Sequence, residues 1–135
     1  MSKYGNSKTV VNGITFDSKM EAEYYQYLKM SENATIFHIQ LQPKFLILSG
    51  YTDTEGKKQR PIYYQADFLV EYESGLVEVI DVKGVETEAF KLKKKMFESR
   101  YGMKLKVVTK YNGKWIELKD KPNSKKEKKI KIPKW

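Results

Sequence analysis

The stretch IYYQADFLVEYESGLVEVIDVKG, residues 62–84, decides how this chain folds. Its first half, Ile62 to Glu73, is rich in β-formers and partly alternates. Ser74-Gly75 is a turn signal, and Leu76 to Lys83 is the next strand, bounded by Gly84. Two strands joined by so short a turn pair antiparallel, which lets Asp67 in the first meet Asp81 in the second. Asp67 lies in an apolar strand, where a carboxylate is costly unless it is paired or holds a cation.

Upstream, Lys44 to Leu48 reads as a strand and Asp53 to Lys58 as a polar turn. Ile36 to Gln42 is extended or irregular, and Pro43 argues against helix there. Ser18 to Met30 reads as a helix with Met20, Tyr24, Tyr27 and Leu28 on one face. Ser18 is its N-cap, and Glu21 follows three residues later in the capping-box position. Ser31-Glu32-Asn33 ends it. Thr9 to Phe16 forms a short hairpin around Asn12-Gly13, and residues 1–8 form a polar arm.

Downstream, Thr87 to Tyr101 reads as the second helix, its apolar face made of Ala89, Phe90, Leu92, Met96, Phe97 and Tyr101. Lys91, Lys94 and Lys95 lie opposite, and Gly102 is the stop. Lys104 to Thr109 and Lys114 to Leu118 are strands. The order helix, three strands, helix, one or two strands predicts an α/β domain with a mixed central β-sheet flanked by helices. One domain is expected over residues 1–118, followed by a basic tail over 119–135.

Composition narrows the chemistry. The chain has 135 residues, no cysteine and a single histidine, His38. Disulfides, zinc-thiolate sites and cysteine nucleophiles are excluded, and a Ser-His-Asp hydrolase is a strained reading. No Gly-rich phosphate loop is present, which disfavours ATPases and dehydrogenases. No apolar run is long enough to span a bilayer, so a cytoplasmic protein is expected. Net charge is +9, and residues 119–135 hold eight lysines against Asp120 and Glu127. A basic protein is drawn to polyanions, of which nucleic acid is the commonest in a cytoplasm, although lysines also simply keep chains soluble.

On a strand from Leu76 to Lys83, alternate side chains share a face, so Asp81 and Lys83 are neighbours at its end. One reading is a metal ligand beside a cation that orients water or a phosphate oxygen. Another is a strand-end ion pair of little energetic value. Asp67 favours the first, because two aspartates plus the Val82 carbonyl suit a hard ion such as Mg²⁺, the alternative being a structural Asp67 hydrogen-bonded to Lys83 or a loop amide. Glu21 has a sufficient role as a capping residue, yet it borders the helix face carrying Tyr24 and Leu28. His38 is read as structural. Lys91, Lys94 and Lys95 are a solvated helix face that becomes a phosphate contact only if it looks onto the cleft.

Asp67…Asp81-Val82-Lys83, with a glutamate on the preceding helix, resembles the PD-(D/E)XK nuclease superfamily, and so does the order of elements. The resemblance runs from about Ile14 to about Thr109. Phe16-Asp17-Ser18-Lys19-Met20-Glu21-Ala22 is similar to the start of an uncharacterised phage-encoded domain family. Glu21, Asp67-Phe68-Leu69, Asp81-Val82-Lys83-Gly84 and the lysines around 91–95 are similar to the phage endonuclease I family of Holliday junction resolvases. The chain departs from the pattern in having Ala66 rather than proline before Asp67, and aspartate rather than glutamate at position 81.

The resemblance implies a restriction-endonuclease-like core and a Mg²⁺-dependent endodeoxyribonuclease, with Mn²⁺ able to substitute. Asp67, Asp81 and Glu21 would bind metal, and Lys83 would orient water or stabilise charge. Branched DNA and a homodimer are the implied partners, since resolving a four-way junction takes two symmetric nicks. Lys91, Lys94 and Lys95, with Lys125, Lys126, Lys128 and Lys129 of the tail, are the candidate DNA contacts. The alternatives are a restriction- or transposase-like cutting or nicking enzyme, and a non-catalytic basic DNA-binding module.

Overall fold

The computed structural model describes residues 8–30 and 35–122. The polar arm up to residue 7, the helix stop at 31–33 and the tail lysines 125, 126, 128 and 129 lie outside these residues. Strands β1 (Thr9–Val11) and β2 (Ile14–Phe16) form the expected hairpin. Asn12 (φ 52°) and Gly13 (φ 80°) take the two left-handed positions that a type I′ turn demands. Helix α1 (Lys19–Met30) follows, and the Ser18 hydroxyl accepts the Glu21 N–H at 3.1 Å, as an N-cap should.

Seven strands come next: β3 (Ile36–Leu41), β4 (Lys44–Leu48), β5 (Tyr51–Thr52), β6 (Lys58–Gln59), β7 (Ile62–Gln65), β8 (Phe68–Tyr72) and β9 (Val77–Val82). Helix α2 (Glu88–Tyr101), β10 (Leu105–Tyr111) and β11 (Lys114–Glu117) complete the core. Thr87 caps α2 by accepting the Phe90 N–H, and Gly102 ends it in a left-handed conformation. The central sheet has the order β11-β10-β9-β8-β3. Only β9 and β10 are parallel, joined through α2, so the sheet is mixed as expected.

Side chains alternate across β9, and the two cores follow from that. Ile80 joins Phe68, Val70 and Val108 against Tyr24, Tyr25 and Leu28 of α1 and Phe16 of the hairpin. Val79 joins Leu105 and Val107 against Phe90 and Phe97 of α2 and Ile47 and Tyr64 of β4 and β7. The sheet is therefore covered on both faces. Among the described residues no helix is long and apolar enough to cross a membrane.

Three expectations need correction. Residues 62–73 are not one strand. Ala66 N–H donates to Pro43 O within the hairpin, whereas Asp67 N–H donates to Ile80 O, so pairing with β9 begins only here. β7 leaves with β4, while β8 stays in the sheet. The strand expected at Lys44 to Leu48 is real but lies in that side ribbon, and the sheet position belongs to β3. Both strands of the long hairpin thus bend at the same level. Its register survives the bend: Leu41 opposes Phe68 on one side, and Lys44 opposes Gln65 on the other. Pro43, which has no N–H to give a ladder, and Gln42 (φ 52°) mark the bend on one strand, and Ala66-Asp67 on the other.

The helix faces also differ from the periodicity. Tyr27 is 47% exposed, and Tyr25 takes the inner position because the hairpin extends the covered arc, with Phe16 5.1 Å from its ring. Leu92 is 63% exposed, and Ala89 is exposed too. The buried line of α2 is Phe90 and Phe97, seven residues apart, and Leu92 lies about 200° round from Phe90.

Candidate functional site

The bend is where the carboxylates gather. Phe68 opposes Ile80, so one step further along the pair Asp67 stands opposite Asp81. Asp67 Oδ2 accepts the Val82 N–H at 2.8 Å, and its own carbonyl accepts the Gln42 N–H at 2.9 Å. Asp81 is 2% exposed, on the α2 face of β9. There the buried Tyr64 hydroxyl donates to Asp81 Oδ2. Lys83 Nζ lies 3.6 Å from Asp81 Oδ1 and 4.6 Å from the centre of the Phe90 ring, a cation–π position that fixes the ammonium.

Glu21 reaches the same place from α1, only 5% exposed. Burial raises its carboxyl above the usual range, and the charges of Asp17 and Asp81 raise it further, while hydrogen bonds with Gln42 and Asp67 oppose the shift. Gln42 Nε2 also donates to Asp17 Oδ2 at 3.3 Å. The Asp67 carboxyl is pushed up to about 9, first by burial, then by the charge and hydrogen bond of Asp81, then by Glu21. Adjacent buried carboxylates cannot all ionise unless a cation joins them. Lys83 supplies one positive charge for three carboxylates.

The donor set is three hard oxygen ligands with none of sulfur or imidazole, which suits a hard divalent ion. Among the described residues no three His, Cys, Asp or Glu side chains stand at distances that would hold a metal jointly. A Mg²⁺ ion does not require three, since it keeps several waters and is held through one or two carboxylates. The residues therefore fit such an ion through the Asp67–Asp81 pair, with Glu21 beside it.

Of the residues singled out in the sequence, Glu21, Asp67, Asp81 and Lys83 converge. Val82 meets Asp67 through its N–H. Gly84 leaves room beside Lys83, for a side chain there would touch only Met20 Cε at 4.0 Å. Lys91 pairs with Glu88 and lines a hollow of about 630 Å³ that begins at Gly84 and includes Tyr111 and Lys121. Lys94 is tied to Glu86 at 3.3 Å, and Lys95 is exposed on α2. His38 is an exposed partner of Glu71 on β3.

Sequence reasoning missed Tyr64, Gln42 and a role for Asp17. A buried tyrosine needs a partner for its hydroxyl, and that was the available signal for Tyr64. Gln42 carried none beyond preceding a proline. One family model matches the chain, over residues 1–117, and its description is protein of unknown function (DUF1064). No curated protein and no solved structure matches.

Proposed function

The chain belongs to the family described as protein of unknown function (DUF1064), so its site must carry the functional reading, and we propose that it is a metal-dependent DNA endonuclease. The observation that carries this is the gathering of the buried Glu21 and Asp81 and the half-buried Asp67, with Lys83 alongside. A protein core does not retain such a cluster for stability, because each buried carboxylate costs free energy until a cation neutralises it.

Asp67 and Asp81 would hold the ion, with the Val82 carbonyl and Glu21 as further oxygen donors. When bound, Mg²⁺ or Mn²⁺ supplies an activated water and neutralises charge developing on a phosphate. Tyr64 keeps Asp81 oriented, and Lys83 directs its ammonium at the water or phosphate oxygen. Gln42 spaces Asp17 and Glu21. The order of elements in the sheet, helix, three strands, helix, two strands, supports a restriction-endonuclease-like core. Within that reading the substrate is branched DNA, cut by a homodimer in a phage-type junction resolvase.

Incubation of labelled four-way junction, flap, duplex and single-stranded DNA with Mg²⁺ or Mn²⁺ tests the proposal. Cleavage that disappears in EDTA and falls by about a hundredfold or more in Asp67→Asn supports it. No cleavage of any substrate with either metal overturns it. Paired nicks placed symmetrically across the junction select the resolvase over a simple nicking enzyme.

A further inference from the structure

The long hairpin does not end at the site. Beyond Gln42-Pro43 and Ala66-Asp67 it continues as a ribbon whose inner residues Phe45 and Tyr64 pack on Phe97 of α2. Tyr101 of that helix donates its hydroxyl to Leu46 O at 2.8 Å, tying the ribbon down. Among the described residues the ribbon leaves Tyr63 50% and Tyr51 54% exposed. Lys44 Nζ lies 5.9 Å from the Tyr63 ring centre. Lys57, Lys58 and Arg60 are exposed around the tip.

The tip is built rigidly. Asp53 carboxylate oxygens accept from the Glu55 and Lys57 N–H groups, each at 2.9 Å, and from Gln59 Nε2. These bonds hold its carboxyl below the usual range. Its negative charge is thus engaged within the turn, leaving Glu55 as the acidic group against four cationic side chains on the ribbon.

We propose that this outer ribbon face grips an unpaired DNA strand next to the phosphate held at the carboxylates, a proposal that rests on the nuclease reading. Exposed aromatic rings interleaved with lysine and arginine make a stacking platform with phosphate contacts. A stacking ring needs a base whose face is free, which a paired duplex does not offer at its sides. Tyr63 precedes Asp67 by four residues, at most about 13 Å of chain and within the reach of about four stacked nucleotides. A strand splayed at a branch point would run from the carboxylates along the ribbon. The charge pattern disfavours a second copy of this basic chain as the occupant.

The test is fluorescence anisotropy of the full chain in EDTA, with a labelled sixteen-nucleotide oligo-dT and a blunt duplex of equal length. Tyr51→Ala with Tyr63→Ala should weaken oligo-dT binding by at least about fivefold per ring and leave the duplex within about twofold. Lys57→Gln with Lys58→Gln, at the solvent-exposed tip, should weaken oligo-dT binding and flatten its salt dependence. Retained oligo-dT affinity in the tyrosine variant, equal losses on duplex, or no oligo-dT binding by the unaltered chain overturns the proposal. Cleavage assays with Mg²⁺ run in parallel separate the two ideas. Oligo-dT binding through the ribbon without any cleavage would sink only the nuclease reading, whereas cleavage with ribbon-independent binding would sink only the ribbon.

Discussion

Asp67 concentrates the conflict between folding and chemistry in one side chain. Its folded carboxyl sits at about 9 against an ordinary 3.8, so the folded chain keeps a proton that the unfolded chain releases. Folding stability attributable to Asp67 therefore falls as pH rises from about 4 towards 9, and the loss is complete above 9. In EDTA, Asp67→Asn should melt higher than the unaltered chain, and the gap should widen between pH 5 and pH 9. Calorimetry resolves this readily, since each kcal/mol moves the midpoint by roughly 3–5 °C in a domain of this size. Mg²⁺ should raise the melting point of the unaltered chain and leave the variant nearly unmoved; a pH-independent gap would refute the account. Tyr64→Phe removes only the donor to Asp81, and should cost about 10- to 100-fold in metal affinity or cleavage rate, as loss of an orienting partner does. Isothermal titration with Mn²⁺ checks it, and unchanged affinity and rate would assign Tyr64 to packing alone. Asp67 and Asp81 were legible because charge inside an apolar strand is conspicuous. Gln42 was not, because its place depends on a left-handed backbone (φ 52°) that its residue type does not announce.

Single elements show where periodicity carries information and where it stops. The hairpin over residues 9–16, both helices, the turn at Ser74-Gly75 and the final strands were readable, since caps, turns and alternation are local. The bend across Gln42-Pro43 and Ala66-Asp67 was not, because nothing within residues 62–73 says that only the part from Phe68 onward gains β9 as a second neighbour. That change is a tertiary event, and it is what sets Asp67 opposite Asp81 in the candidate site. The faces of the helices were blurred for a similar reason: an apolar stripe gives a direction, and the neighbours decide its width. Phe97, fully buried and 4.9 Å from the Phe45 ring, should cost about 3–5 kcal/mol on change to alanine. Leu92→Ala should change stability by no more than about 0.5 kcal/mol, although the sequence pattern puts both on one face. Urea unfolding monitored by circular dichroism measures both, and comparable losses would contradict the packing described.

The whole molecule sets an acidic point within a basic field. Net charge is +9, and the stretch from Lys119 onward supplies +6 of it. Such a distribution draws a polyanion in from a distance, while the carboxylates repel its phosphates until a cation intervenes. In the proposed reading, long-range attraction and local metal dependence would rest on separate residues, and they are separable by substitution. Charge in the tail was legible from composition alone, because attraction between a cationic segment and a polyanion needs no defined geometry. Replacing Lys125, Lys126, Lys128 and Lys129 with glutamine in the full chain removes four charges and leaves every carboxylate in place. If all four contact phosphate, the slope of log affinity against log salt should shrink by up to about 3.6 on duplex DNA, in proportion to the counterions no longer released. Affinity should fall most at low salt and converge with that of the unaltered chain at high salt. The Mn²⁺ affinity of the site should stay the same, because the substitutions touch none of Glu21, Asp67 or Asp81. Anisotropy titrations across 50–200 mM salt, about the range over which phosphate contacts are most sensitive, measure the slope. An unchanged slope would show that DNA is held by the folded body alone, through the ribbon and the hollow beside Lys91 and Lys121.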